Sequence, residues 1–354
     1  MLCSQELKKE HLLIYGLGNF YKQNEKKIEE KYEIEAFIDN KKNGIYAGKK
    51  IIPSEKVNEY ADFKILIMIY SIQQCINVAR ELINVYDVDC KNILLGHSFW
   101  GNYAKEYDSI QLLENGKIQL KKENISLNIS SEDEFNNVYE VLINENYNYC
   151  INNNKKDIVI DIGMNIGDAT IYFLGKEKVQ KVYGYEPFKE TYNAACENLK
   201  EYLKDHNRLE VFQFGLSNEN IIREINYNVD MSCGQSTIPE TRDRVYEFYE
   251  KNKLISVENE IKEYIQVRKA SEIIGTIIDK HTEENIVLKI DCEGEEYVIF
   301  QELFDNNWLG KIDFIMLEWH YKGKELLLDI LEQTGFSYWC SNKNKDMGLI
   351  YAYK

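Results

Sequence analysis

The sequence predicts an α/β protein of two doubly wound units in series, the second larger and closed by a terminal antiparallel strand. Three observations predict it. Short apolar runs alternate with longer amphipathic stretches along most of the chain, the pattern of parallel strands covered by helices. Two of these runs, Leu12–Tyr15 and Ile158–Ile160, pass directly into glycine-containing turns, Gly16-Leu17-Gly18 and Asp161-Ile162-Gly163-Met164-Asn165-Ile166-Gly167. The chain also has 354 residues, too many for one ordinary core.

In the first unit, expected over residues 1–97, Leu12–Tyr15 is a strand and a charged helix follows to about Lys31. Glu33–Ile38 is a second strand ending at Asp39. Ile51-Ile52-Pro53-Ser54 reads as a short strand entering a helix capped by Ser54. Lys64–Ile69, Ile72–Tyr86 and Asn92–Leu95 complete the unit as strand, helix and strand. Residues 98–155 form a bridge: a hairpin turning at Asn115-Gly116, then a helix over Glu132–Glu145 with Phe135, Val138, Tyr139 and Leu142 on one face.

The larger domain is expected over 156–354. Strands are predicted at 158–161, 181–185, 209–214, 286–291, 312–318, 336–340 and 347–353, and helices at 167–175, 189–204, 295–305 and 323–333. The last two strands, joined through Asn342-Lys343-Asn344, read as antiparallel. An insertion over 219–280 interrupts the wound pattern. It carries Ser232-Cys233-Gly234-Gln235-Ser236-Thr237, a polar loop suited to lying over a ligand.

Composition narrows the function. A content of 44% hydrophobic and 12% aromatic residues excludes global disorder. A net charge of −16 argues against a nucleic-acid or anionic membrane partner. The longest apolar run, Ile65–Ile69, is strand-sized, so no membrane insertion is expected. Met1–Glu6 lacks the basic-then-apolar pattern of a signal peptide, and a cytoplasmic location is expected. Eight cysteines without a CxxC pair read as small core residues in a reducing compartment rather than as zinc ligands.

The turn after Ile160 places backbone N–H groups at the carboxyl edge of a parallel sheet, and Glu186 ends the next strand where a ribose diol is usually held. Gly163 and Gly167 bracket Asn165 and do not make a full dinucleotide fingerprint. No lysine follows Gly167, which excludes a nucleoside triphosphate loop. A cofactor without phosphates tolerates this looser turn.

Together, Asp161-Ile-Gly-Met-Asn-Ile-Gly, Tyr185-Glu186-Pro187, Gly215-Leu216-Ser217-Asn218, Leu288-Lys289-Ile290-Asp291-Cys292-Glu293-Gly294-Glu295-Glu296 and Leu317-Glu318-Trp319-His320 resemble the FkbM-type S-adenosylmethionine-dependent methyltransferases, over roughly residues 130–353. Gly275–Asp279 resembles the short segment before that family's fourth core strand. The resemblance implies a Rossmann-like methyltransferase domain and S-adenosylmethionine as cofactor. It also implies O-methylation of a hydroxyl on a small molecule, sugar or glycan, in natural-product or surface-polysaccharide modification. By the same resemblance Asp161, Gly163, Asn165 and Gly167 lie at the methionine end, and Glu186 with Pro187 at the ribose. Gly215 and Ser217 then lie near the adenine, and Asp291 at the cleft.

For the transfer itself, His320 is the candidate base, two residues beyond Glu318 at the end of a strand. Asp291 and Glu318 are candidate substrate-positioning acids. No metal is expected, although a weak divalent site formed with Glu318 is the alternative. Trp319 and Tyr321 read equally as an aromatic wall or as packing, and Lys289 as a strand-end salt bridge or packed stem rather than a proton acceptor.

Tyr15-Gly16-Leu17-Gly18-Asn19 and Phe37-Ile38-Asp39-Asn40 resemble the small Rossmann-like domains of sugar-modifying enzymes. Tyr21 stands where a third glycine would be. A structural or dimerising role is expected there; a homodimer is one assembly compatible with it, and the subunit number stays open. The competing functions are a nicotinamide- or sugar-nucleotide-binding oxidoreductase and a non-catalytic binding protein.

Overall fold

The computed structural model describes residues 9–99, 103–228, 233–251 and 260–354; Met1–Glu6 and Ser232 of the readings above lie outside them. Two compact units, Met1–Phe135 and Asn136–Lys354, make up the chain.

In the first unit, β1 (Glu10–Tyr15), α1 (Asn19–Lys31), β2 (Tyr32–Ile38), β3 (Gly44–Tyr46), β4 (Lys49–Ile52), β5 (Lys64–Ile67), α2 (Ile72–Asn84) and β6 (Ile93–Leu95) build a sheet of order β3-β4-β2-β1-β5-β6. All pairings are parallel except β3 with β4. Leu12, Ile14, Phe37 and Leu66 alternate into a core closed by Tyr21 and Ile28 of α1. Ser71 caps α2 by accepting from the Gln74 N–H at 3.3 Å. The expected cap at Ser54 does not form: its N–H and hydroxyl both donate to Asn40 Oδ1, at 2.8 and 2.9 Å, and only a short 3-10 turn follows.

The expected hairpin is β7 (Ser109–Leu112) with β8 (Ile118–Lys122), and it gains a third antiparallel strand, β9 (Ile125–Ile129). The next helix, α3 (Glu132–Leu142), contains the boundary between the two units.

The second unit is Rossmann-like. It contains β10 (Asp157–Ile162), α4 (Asp168–Leu174), β11 (Val179–Tyr185), α5 (Lys189–Asn198), β12 (Leu209–Phe212), β13 (Gly215–Ser217), β14 (Ile221–Asn228), α6 (Pro239–Lys251), β15 (Glu260–Lys269), α7 (Ala270–Lys280), β16 (Asn285–Ile290), α8 (Glu296–Asp305), β17 (Phe314–His320), α9 (Glu325–Gln333), β18 (Ser337–Asn342) and β19 (Met347–Tyr353). Seven strands run in the order β12-β11-β10-β16-β17-β19-β18, with β19 antiparallel to both neighbours. Because β10, β16 and β17 are covered on both faces, all their residues are buried, including the polar Asp161, Lys289, Glu318 and His320 among otherwise mainly apolar ones.

The insertion is more ordered than expected. Antiparallel β14 and β15 pair from Ile221↔Val267 to Asn228↔Glu260, and β13 joins β15 in parallel. Gly275 lies in α7, where an added Cβ would sit 2.4 Å from the Trp308 ring, so close helix packing explains that glycine. Trp319 is 3% exposed in the main core and forms no wall.

Candidate functional site

The sheet ends of the second unit carry the site. β10 stops at Ile162, and Gly163, Asn165 and Gly167 all adopt positive φ, at +76°, +50° and +87°. The Gly163 and Met164 N–H groups donate to Tyr185 O at 3.1 and 2.9 Å, which folds the turn over the end of β11. Gly163 is sterically required: a Cβ there would lie 1.7 Å from Asp291 O on the neighbouring strand's exit.

Glu186 leaves β11 directly into this turn. Its Oε2 accepts the Asn165 N–H and its Oε1 the Phe188 N–H, both at 3.0 Å. Burial pushes its carboxyl up to about 7, although those two bonds and Lys289 pull the other way. A cavity opens beside it, lined by Gly163, Asn165, Glu186, Pro187 and Gly215 from the expected cofactor set, with Asp291 and Glu293 at its acidic end. Leu216, Phe188 and Val267 supply an apolar side.

These residues fit an adenosyl sulfonium with an amino acid tail. A buried carboxylate at the cavity wall suits the two ribose hydroxyls, and apolar side chains suit the adenine face. Asn165 Oδ1 is buried with no hydrogen-bond partner, leaving an acceptor for the cofactor's amino group. The cavity volume is about 80 Å³. This is below the roughly 300–1,000 Å³ common for small-molecule sites. The side formed by Cys233, Gly234, Gln235 and Thr237 belongs to the insertion rather than to the central sheet.

Three residues expected at the cofactor do not line this cavity. Asp161 is fully buried, ion-paired with Lys289 at 3.0 Å and hydrogen-bonded by Thr170 Oγ1 at 2.6 Å. Gly167 begins α4 and packs towards Leu199. Ser217 points away, its Oγ accepting from Arg223 at 3.2 Å and donating to Glu295 at 3.4 Å, while its neighbour Leu216 faces the cavity. Alternation along a strand accounts for the last difference.

The candidate catalytic residues form one cluster. Asp291 lines the cavity, and Tyr147 donates to its Oδ2 at 2.8 Å. His320, 2% exposed, hydrogen-bonds through Nδ1 to Glu296 Oε1 at 2.8 Å. Its Nε2 faces Asp291, Glu293 and Glu318 at 3.9, 3.8 and 3.9 Å. Burial alone would lower the imidazole pKa, but Glu293, Glu296 and Glu318 raise it well above its ordinary value. Neither His320 nor Glu318 lines the cavity itself. Burial raises the Cys292 thiol well above its usual range, which disfavours a thiolate there.

The sequence motifs give Tyr147, Lys343 and the Arg223–Glu295 pair no role at this site. Lys343 lies 3.0 Å from Glu318, and Arg223 is ion-paired to the buried Glu295 at the cavity lining. Glu295 and Glu296 lay within the quoted motif, whereas Arg223, Lys343 and Tyr147 come from distant segments with no local signal.

In the first unit, Asp39 is engaged by its own chain, accepting the Leu17 and Lys41 N–H groups at 3.3 and 2.9 Å, and Lys42 donates to Leu17 O. Tyr21 is fully buried against Phe37. No helix of the described residues is long and apolar enough to cross a membrane.

Residues 161–338 match the methyltransferase FkbM domain. Methyltransferase sdnD of Sordaria araneosa is 21% identical over 211 residues, spanning 56% of this chain and 81% of that protein. Methyltransferase 1 of Beauveria bassiana (strain ARSEF 2860) is 23% identical over 164 residues, spanning 45% and 63%. The crystal structure of methyltransferase FkbM from Methylobacillus flagellatus KT aligns over 97% of this chain and 90% of that one, at 14% identity and a TM-score of 0.38.

Proposed function

The chain belongs to the FkbM family of S-adenosylmethionine-dependent methyltransferases, and from that premise we propose that it methylates a hydroxyl oxygen of a sugar, glycan or small metabolite. The observation that carries this reading is the position of Asp291, which is at once part of the cofactor cavity and part of the acidic cluster. S-adenosylmethionine supplies a methyl group already activated on a sulfonium, so alignment of the acceptor is the protein's main task.

Glu186 would hold the ribose hydroxyls, and the turn at Gly163 and Asn165 the methionine end. Leu216, Phe188 and Val267 would flank the adenine. Asp291 and Glu293, at the acidic end, would accept the hydrogen bond of an acceptor hydroxyl and repel anionic acceptors. His320 and Glu318 would act through them as positioning residues. No base role is proposed for His320, since its imidazole does not line the cavity and the surrounding carboxylates favour the protonated ring.

The test is transfer of a labelled methyl group from S-adenosylmethionine to cell extracts and hydroxyl-bearing small molecules, with the product's methyl carbon assigned by NMR. Label in a methoxyl carbon is expected. Label confined to nitrogen, or no transfer at all, would overturn the proposal.

A further inference from the structure

We propose that Asp291, Glu293 and His320 form a binding site for a divalent metal cation at the acidic end of the cavity. Their ligand atoms converge within 4.8 Å of one another. His320 Nε2 faces Glu293 Oε2 at 3.8 Å and Asp291 Oδ1 at 3.9 Å, and Glu318 Oε1 lies at 3.9 Å from the same nitrogen. Those separations are too long for hydrogen bonds. They suit ligands sharing one ion, each held at about 2.0–2.4 Å.

The imidazole is the observation that separates this cluster from a group of surface acids. It is 2% exposed, and Nε2 has no hydrogen bond although it points at carboxylates. Nδ1 donates to Glu296 Oε1 at 2.8 Å, and Glu296 is itself fully buried and fixed through Oε2 by the Gly294 N–H at 2.7 Å. A carboxylate on Nδ1 fixes the ring's orientation, and a cation that displaces the proton from Nε2 takes that nitrogen's lone pair. Tyr147 holds Asp291 by Oδ2 and leaves Oδ1 facing the same point.

A second convergence among the described residues, His11 with Glu33 and Glu35, lacks this feature. Both of its ring nitrogens already sit at 2.5 and 3.3 Å from carboxylates, and the histidine is partly exposed. Glu318 stands as a shared neighbour, since Lys343 lies 3.0 Å from its Oε1.

One imidazole and two carboxylates favour Mn²⁺, Fe²⁺ or Zn²⁺ and leave coordination positions open. Because Asp291 and Glu293 also line the cavity, an acceptor oxygen can reach such a position, where the cation would orient it and make its hydroxyl more acidic. That role rests on the methyltransferase reading; the binding of the ion does not.

The experiment titrates Mn²⁺ into chelator-stripped full-length protein, without cofactor or acceptor, and follows it by electron paramagnetic resonance. Saturable binding is expected, with nitrogen coupling from an imidazole in the spin-echo modulation. Glu293→Gln and Asp291→Asn should each weaken binding about 10–100-fold. His320→Gln should remove the nitrogen coupling, and His11→Gln should change neither. Circular dichroism checks the fold; if His320→Gln does not fold, the two carboxylate variants decide. Absence of saturable binding, full affinity in Glu293→Gln and Asp291→Asn, or nitrogen coupling that follows His11 would overturn the proposal. Calorimetry with S-adenosylhomocysteine on the same samples separates the two claims, since cofactor binding without Mn²⁺ binding sinks only the metal site.

Discussion

Lys289 Nζ lies 3.0 Å from Asp161 Oδ1, and the two residues are direct partners across the parallel strands β16 and β10. Both side chains are buried. Lys289 also donates to Gly163 O and Thr170 to Asp161, so the pair ties together a strand end, the cofactor turn and the first turns of α4. Removing one partner strands a charge in the core. Lys289→Met should therefore destabilise the fold by about 3–5 kcal/mol in urea unfolding, with part recovered in Lys289→Met/Asp161→Asn. A loss below about 1 kcal/mol, the range of surface pairs, would contradict this.

Cofactor affinity should depend on pH through Glu186. Burial holds its carboxyl at about 7, above the ordinary 4.5, and in the proposed ribose contact only the ionised form would accept from both hydroxyls. Affinity should rise as pH increases through about 7 and fall below it, with Glu186→Gln nearly flat. The stability sign is opposite in the cofactor-free protein. A raised folded pKa contributes stability present below about 4.5 and lost as pH climbs through about 7. Calorimetry and thermal melts across this window check both.

Gly163→Ala should be severely disruptive. Its new methyl would meet the Asp291 carbonyl at 1.7 Å, and its φ of +76° is strained for alanine. A loss above about 3 kcal/mol, or insoluble protein, is expected. Gly310→Ala is the control, since nothing lies within 4 Å of its added Cβ. Equal effects at the two positions would refute the steric argument.

Arg223→Met should leave Glu295 buried without its cation, supported by the Thr237 and Ser217 hydroxyls at 3.0 and 3.4 Å. Because Thr237 and Glu295 both line the cavity, cofactor binding and stability should fall together. Stability unchanged by differential scanning calorimetry would show the pair to be solvated in solution.

Much of the second unit was legible because its signals are local. The glycine turn at 163–167, Glu186 at a strand end and the antiparallel finish through β19 each follow from a few consecutive residues. What escaped depends on register or on distant segments. Leu216 rather than Ser217 faces the cavity because one step along a strand reverses the face. Asp161 reads as a cofactor acid until its cross-strand partner turns out to be Lys289. Arg223, Tyr147 and Lys343 reach the site from the insertion, the segment before β10 and the last hairpin. Strands β14 and β15 were missed because their charged and apolar residues both face solvent in part, as at Ile222 and Tyr264, which blurs the alternation.

The most direct test is calorimetric titration of S-adenosylhomocysteine into the full chain and into Glu186→Ala. Binding in the parent protein and a loss of about 1.5–3 kcal/mol in the variant, roughly ten- to a hundredfold in affinity, are predicted from hydrogen bonds to a charged group. No heat in the parent protein, or the same affinity in both, would contradict the placement of the cofactor against Glu186.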